Sequence, residues 1–422
     1  MLQKTTLING VRLLTDVDTR VRSVSMGIWV RIGSRYEKAE MKGMAHFIEH
    51  MIFKGTKERT AKEIAEAFDA VGGYVNAMTS KEYTAYYAKV LDTHASDALE
   101  VLADMFFHSN FDSVEMDKEK QVVKEEIDMY EDTPDDLVHE ILAEAAYKNH
   151  ALAAPILGTE ETLDAFTRED ILSFMKHHYG AEEVVLSLAG NVSPELVEHA
   201  QKLFEPLQPG ERLPEADTPA FHPGTEIRKK ETEQAHLCYG YEGFGMEDET
   251  LYPAVLINNV LGGNMSSRLF QEIREDRGLA YSVFSYHEAF AGCGMLTIYA
   301  GCQQENLDEV CRLIEQETAA IAADGLTERE LYHAKEQLKG SLLLSLESSS
   351  AHMSRNAKNE LLLGEHEEME TITEKIDLVS MEDIRRTARR MFQTEPAVAL
   401  VSREGRLPES MRNRMQTGVQ ND

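Results

Sequence analysis

His46-Phe47-Ile48-Glu49-His50 reads H-x-x-E-H and lies in a segment that reads as helix. Two histidines at i and i+4 project from one helix face, a turn apart. Their neutral imidazoles can grip one divalent ion, with Zn²⁺–N distances of about 2.0–2.1 Å. Glu49 stands beside the pair, three residues after His46 and one before His50. A carboxylate there can accept a proton from a water that the ion has activated, the requirement of metal-assisted hydrolysis. The order of residues is the inverse of the H-E-x-x-H zinc signature.

The chain around this stretch has 422 residues, more than one typical core, so two or more domains are expected. Its 74 acidic against 43 basic residues give a formal net charge of −31. Such a field repels nucleic acid and anionic membranes and favours cationic partners. No apolar run is long enough to span a bilayer, and the start, Met1-Leu2-Gln3-Lys4-Thr5-Thr6, lacks the apolar region of a signal peptide. A cytoplasmic protein is expected. Cys238, Cys293, Cys302 and Cys311 show no C-x-x-C spacing and read as free thiols in a reducing compartment.

Pro206, Pro209, Gly210, Pro214, Pro219, Pro223 and Gly224 crowd one segment, and residues 209–224 read as a linker. It separates residues 1–208, which carry the histidine pair, from residues 225–422, which have no such motif. The two halves rhyme in element order. Each opens on strand-like sequence, Val24 to Val30 and Ala235 to Gly243. Each closes on a helix and an apolar strand, Ile171 to Tyr179 with Val184 to Ala189, and Asp383 to Phe392 with Ala397 to Val401. This predicts an α+β fold of two duplicated domains, each a mainly antiparallel sheet with helices packed on one face. Thr60-x-x-Glu63 predicts a capping box ahead of a helix that presents Ile64, Phe68 and Val71 and ends at Gly72-Gly73. Tyr74 to Thr79 and Glu82 to Val90 then predict a hairpin. A long helix is expected from about Ser113 to Tyr130, interrupted by Pro134, with another from Asp135 to Tyr147.

Glu119-Lys120-Gln121-Val122-Val123-Lys124-Glu125-Glu126-Ile127 lies on the long helix. Glu119 and Glu126, two turns apart, share a face. A carboxylate from another helix would complete a His₂Glu set with one coordination position open. Spacing alone does not choose among Glu119, Glu125 and Glu126.

Gly43-Met44-Ala45-His46-Phe47-Ile48-Glu49-His50-Met51-Ile52-Phe53-Lys54-Gly55-Thr56 resembles the signature of the inverted-motif zinc peptidases, the family of mitochondrial processing peptidase, pitrilysin and insulin-degrading enzyme. The resemblance covers essentially the whole chain, which looks like a bacterial half-length, processing-peptidase-like member. In that family the third ligand is a Glu about 76 residues beyond the second His, which lands on Glu126, and a carboxylate two turns earlier, here Glu119, supports the ligands. The resemblance therefore implies one Zn²⁺ per chain on His46, His50 and Glu126, with Glu49 as general base. Gly73-Tyr74-Val75-Asn76-Ala77-Met78-Thr79-Ser80 resembles the family's edge strand, where a substrate peptide adds through main-chain hydrogen bonds. Asn76 and Ala77 would supply those contacts. The stretch Leu261 to Val283 is similarly characteristic. Its Arg277 and Tyr281 match residues that reach the active site and stabilise the oxyanion, while Gly262-Gly263 resembles a substrate-recognition loop and equally reads as a helix C-cap.

The implied activity is a zinc endopeptidase acting on short or unfolded oligopeptides, with a preference for basic ones suggested by the charge. Single-chain members are about twice this length and close like a clamshell. This chain resembles half of one, so a homodimer enclosing a chamber is expected, with Arg277 and Tyr281 of one copy completing the zinc site of the other. The alternative is a non-catalytic peptide-binding or partner subunit of the same fold.

Overall fold

The computed structural model describes residues 2–210, 212–214, 216–409 and 411. Strands β1 (Leu2–Thr6), β2 (Arg12–Val17), β3 (Ser23–Val30), β4 (Tyr74–Thr79), β5 (Thr84–Leu91) and β6 (Val184–Gly190) form a sheet in the order β1-β2-β6-β3-β5-β4. Strands β7 (Thr225–Lys229), β8 (Ala235–Glu242), β9 (Ala280–Phe290), β10 (Cys293–Cys302) and β11 (Ala397–Ser402) form a second sheet in the order β7-β11-β8-β10-β9. All neighbours run antiparallel except β2–β6 and β7–β11. With β1 set aside, the two sheets coincide strand for strand in order and sense. The α+β class and the internal duplication expected from element order are thus both present.

Two compact units contain these sheets, and a single cut at residues 209–224 does not describe them. One comprises residues 1–128, 154–216 and 343–366, and the other 129–153, 217–342 and 367–422. The helix Pro134–Tyr147 therefore belongs with the second sheet and the helix Ser349–Leu362 with the first. Packing explains the exchange. Leu137, Val138, Ile141, Leu142 and Ala145 are buried with Cys238, Met295, Tyr299, Ala399 and Val401 in one cluster, and Met353, Ala357 and Leu361 are buried with Leu14, Trp29, Val185 and Ala189 in another.

This also corrects the expectation of helices on one face only. Strand β3 is buried at every position but its first. Val24, Met26, Ile28 and Val30 face one core and Trp29 faces the other, so both faces need cover.

In the first unit the motif helix, Met44–Ile52, packs against β4 and β5. It starts at Gly43, whose φ of 89° and whose approach to the Leu157 carbonyl (a Cβ would lie 2.5 Å from that oxygen) admit only glycine. The buried Glu37 carboxylate accepts from the backbone N–H of Gly43 at 2.8 Å and of Ala45 at 2.7 Å, which anchors the helix start. Burial raises the Glu37 pKa from 4.5 to about 7 against those two N–H donors. Between these values the unfolded chain releases a proton that the fold retains, so stability declines from pH 4.5 to about 7 and is level above. Replacing Glu37 by Gln sets an amide NH₂ against a backbone donor and should cost about 1–3 kcal/mol. The deficit should narrow as the pH rises, because only wild type loses stability across that window. Denaturant unfolding at pH 5 and pH 7.5 checks both.

Candidate metal centre

The motif helix is built as the i, i+4 spacing predicts: the His46 and His50 rings lie with centroids 4.6 Å apart. The long helix runs Ser113–Asp132, two residues beyond the expected end, and brings Glu119 and Glu126 to this pair. Glu126 Oε2 is 3.5 Å from His50 Nε2 and 3.7 Å from His46 Nε2. Both separations exceed ordinary hydrogen bonds. They match the edge of a tetrahedron with bonds of about 2.0–2.1 Å, which is about 3.4 Å. Among the described residues these three form the group of potential ligands that converges tightly enough for a metal, with ligand atoms within 4.8 Å of one another. Glu125, on the same helix, is exposed.

Protonation favours the same reading. Burial, then the neighbouring His50, depresses the His46 pKa from 6.5 to about 3, so its imidazole is neutral and its lone pair available. Glu119 Oε1 lies 2.9 Å from His50 Nδ1. A carboxylate there fixes the tautomer with Nδ1 protonated and Nε2 free toward Glu126. The buried Glu119 is held in turn by Lys54 Nζ, 2.5 Å from its Oε2. Burial opposes the charge on His50, but its bond and charge interaction with Glu119 outweigh this and raise its pKa above 6.5. A proton therefore competes with the ion at His50. Apparent zinc affinity should fall as the pH drops below that raised pKa, by about tenfold per unit for one displaced proton, and a chelator-competition titration from pH 8 to pH 5.5 measures it. Lys54→Met frees Glu119 to swing and should weaken zinc binding by about tenfold, read by the same titration at pH 8.

Glu49 is partly buried beside the ligands. Burial raises its pKa, and a hydrogen bond from Thr79 Oγ1 to its Oε2, at 2.5 Å, works against that shift. Three carboxylates thus surround two imidazoles, with Lys54 offsetting one of them: a donor set that suits a dication and fits Zn²⁺.

Asn76 is exposed and Ala77 buried on β4, an outermost strand of its sheet. The Asn76 side chain bridges the Tyr74 hydroxyl at 2.7 Å and the Ala77 N–H at 2.9 Å. Gly262 caps the helix Leu251–Leu261. The N–H groups of Gly262 and Gly263 both donate to the Asn258 carbonyl at 3.0 Å, and a Cβ on Gly262 would meet Ser285 Oγ at 2.6 Å. The pair therefore performs the C-cap role. Arg277 is ion-paired to Glu272 at 2.6 Å and Glu309 at 3.0 Å, at the end of a π-helical turn, Phe270–Asp276. Tyr281 is 76% exposed, with the Arg274 guanidinium 4.7 Å from its ring centre. Sequence reading missed Glu37, Lys54 and Thr79. Glu37 and Lys54 flank the motif and Thr79 ends the edge-strand stretch, but position in the sequence does not show which side chain turns inward. All four cysteines are free, as expected.

With this geometry in hand, the chain matches two family models. Insulinase (Peptidase family M16) matches residues 12–160, and Peptidase M16 inactive domain matches residues 165–338. The Bacillus subtilis protein named uncharacterized zinc protease YmxG is 50% identical over 408 residues, 97% of this chain and 100% of its own. An uncharacterized zinc protease of Streptomyces coelicolor is 39% identical over 432 residues, covering 99% of this chain and 92% of its own. Among solved structures, a protease from Helicobacter pylori superposes with a TM-score of 0.89 at 22% identity, over 95% of this chain and 99% of that one. A chain of complex III2 from Candida albicans does so at 0.84 and 21% identity, over 98% and 99%. The chain belongs to the insulinase family, peptidase family M16.

Proposed function

We propose that this chain is a zinc-dependent endopeptidase that hydrolyses short or unfolded oligopeptides. The observation that carries the proposal is the convergence of His46 Nε2, His50 Nε2 and Glu126 Oε2 beside the Glu49 carboxylate. A zinc ion held by these three supplies the Lewis acidity that brings the pKa of a water toward about 7. Glu49 accepts the water's proton and later gives it to the leaving amine, a role for which its burial-raised pKa suits it. Glu119 orients His50 through Nδ1, and Lys54 holds Glu119. The outermost position of β4 supports docking of an extended peptide along it, through the main chain at Asn76 and Ala77.

Arg277 and Tyr281 are proposed to steady the substrate carbonyl and the oxyanion, supplied by a second copy of the chain in a dimer that encloses the peptide. The exposure of Tyr281 supports its availability for that contact. Gly262 and Gly263 would border the bound peptide. Among the described residues no helix is long and apolar enough to cross a membrane. A cytoplasmic location and a taste for basic peptides are part of the proposal, the latter resting on the net charge of −31.

The test is cleavage of matched unfolded peptides, basic and acidic, followed by mass spectrometry with the zinc-loaded chain. Internal cleavage, faster for the basic peptide and suppressed at high salt, is expected. Absence of any zinc-dependent cleavage would contradict the proposal. Mixing Glu49→Gln chains with Tyr281→Phe chains tests the sharing: activity should reappear in mixed dimers, and its failure to do so argues against a shared site.

A further inference from the structure

We infer that Thr79 is a positioning residue that registers the substrate-binding strand against the general base. The inference rests on the peptidase reading of the site and extends it to a residue outside the metal set.

The hydroxyl of Thr79 donates to Glu49 Oε2 at 2.5 Å, the short end of the range for an O–H donor on a carboxylate. The two residues come from different segments. Glu49 sits near the end of the motif helix, and Thr79 is the last residue of β4. That strand end is firmly held. Thr79 pairs with Thr84 across the hairpin, and the next residue, Ser80, donates its N–H to the Tyr83 carbonyl at 2.8 Å to close the turn. Thr84 Oγ1 in turn donates to the Ile32 carbonyl at 2.8 Å, which ties the hairpin to the segment just beyond β3. A β-branched side chain adds stiffness, because χ1 of threonine is restricted by the second heavy atom on Cβ. The hydroxyl is therefore presented from a fixed point.

Two consequences follow. A hydroxyl has one proton to donate, and Thr79 gives it to Oε2. This bond fixes the orientation of the Glu49 carboxylate. In addition, β4 lies at the margin of its sheet, where an extended peptide would add. A peptide lying along β4 is placed by the same strand that holds the base. The distance from scissile bond to base is then set by one short path through β4 with hydrogen bonds at both ends, and misplacement of about 1 Å can cost about 10²-fold in rate.

The experiment compares wild type, Thr79→Val and Thr79→Ser on one peptide substrate, with zinc affinity measured by chelator competition. Unfolding midpoints of the metal-free chains complete the set, including Thr79→Val, Glu49→Ala and the double variant. The inference expects kcat of Thr79→Val to fall by about 10- to 100-fold, with KM and zinc affinity changed less than about twofold. Thr79→Ser should recover most of the loss. Valine should add nothing to a Glu49→Gln chain. In the metal-free chains, the midpoint shifts of the two single variants should fail to add, since the partners share one bond.

An undiminished kcat in Thr79→Val, an equal loss in Thr79→Ser, or a parallel fall in zinc affinity overturns the positioning role. Additive midpoint shifts show that the bond itself is absent. A wild-type chain without peptidase activity sinks the functional reading and the positioning role with it, whereas an active wild type with unimpaired Thr79→Val sinks the positioning role alone.

Discussion

Glu49→Gln should lower peptide turnover by about 10²–10⁴-fold while one zinc ion per chain remains bound. The amide has nearly the volume of the carboxylate and can still accept the Thr79 hydroxyl through its oxygen, so the local packing survives. It cannot accept a proton from water at neutral pH. The converging atoms of His46, His50 and Glu126 do not include Glu49, so the metal set is untouched. Peptide affinity should persist because β4 and its free side are unchanged, and the inactive variant should therefore retain bound peptide. Turnover within about twofold of wild type would show that Glu49 is not the base.

Glu126→Gln should weaken zinc binding by more than the 10- to 100-fold that is about the cost of losing a group that merely orients a ligand. The separations of 3.5 and 3.7 Å to the two imidazoles make Glu126 the third corner of the site, and an uncharged amide is a poor ligand for a hard-to-borderline dication. Glu119→Gln, by contrast, should stay within that 10- to 100-fold range, since Glu119 reaches the ion through His50. Comparing the two variants by chelator competition separates a ligand from its support. Equal effects would contradict the division into ligand and support, and a larger loss in Glu119→Gln would mean that the carboxylates have been assigned the wrong way round.

How much of this was legible in the sequence depends on whether the physics was local. The spacing of His46 and His50 is a property of one helix, so it could be read from five residues. The capping box at Thr60 and Glu63 is local too, and it forms as written. The internal duplication was implied by the repeated element sequence, whereas the order of strands within each sheet was not, because it depends on non-local pairing. The choice of Glu126 was not local. Periodicity placed Glu119 and Glu126 on one face, but which faces a ligand nitrogen and which faces the ring's other side depends on where the second helix crosses the first. Family resemblance, not spacing, made that choice.

The exchange of helices between the two units was likewise hidden. The apolar faces of Pro134–Tyr147 and Ser349–Leu362 show that each helix packs on something, without saying on which sheet. Glu37, Lys54 and Thr79 were invisible for a related reason. Each acts through a hydrogen bond to a partner whose direction is fixed only once the loop or strand that carries it is in place.

The most direct measurement is anomalous diffraction at the zinc absorption edge from crystals of the zinc-loaded chain. The account predicts one peak per chain, at about 2.0–2.2 Å from a nitrogen of His46, a nitrogen of His50 and a carboxylate oxygen of Glu126. A peak that leaves Glu126 out of bonding reach, or one centred on other residues, would contradict it.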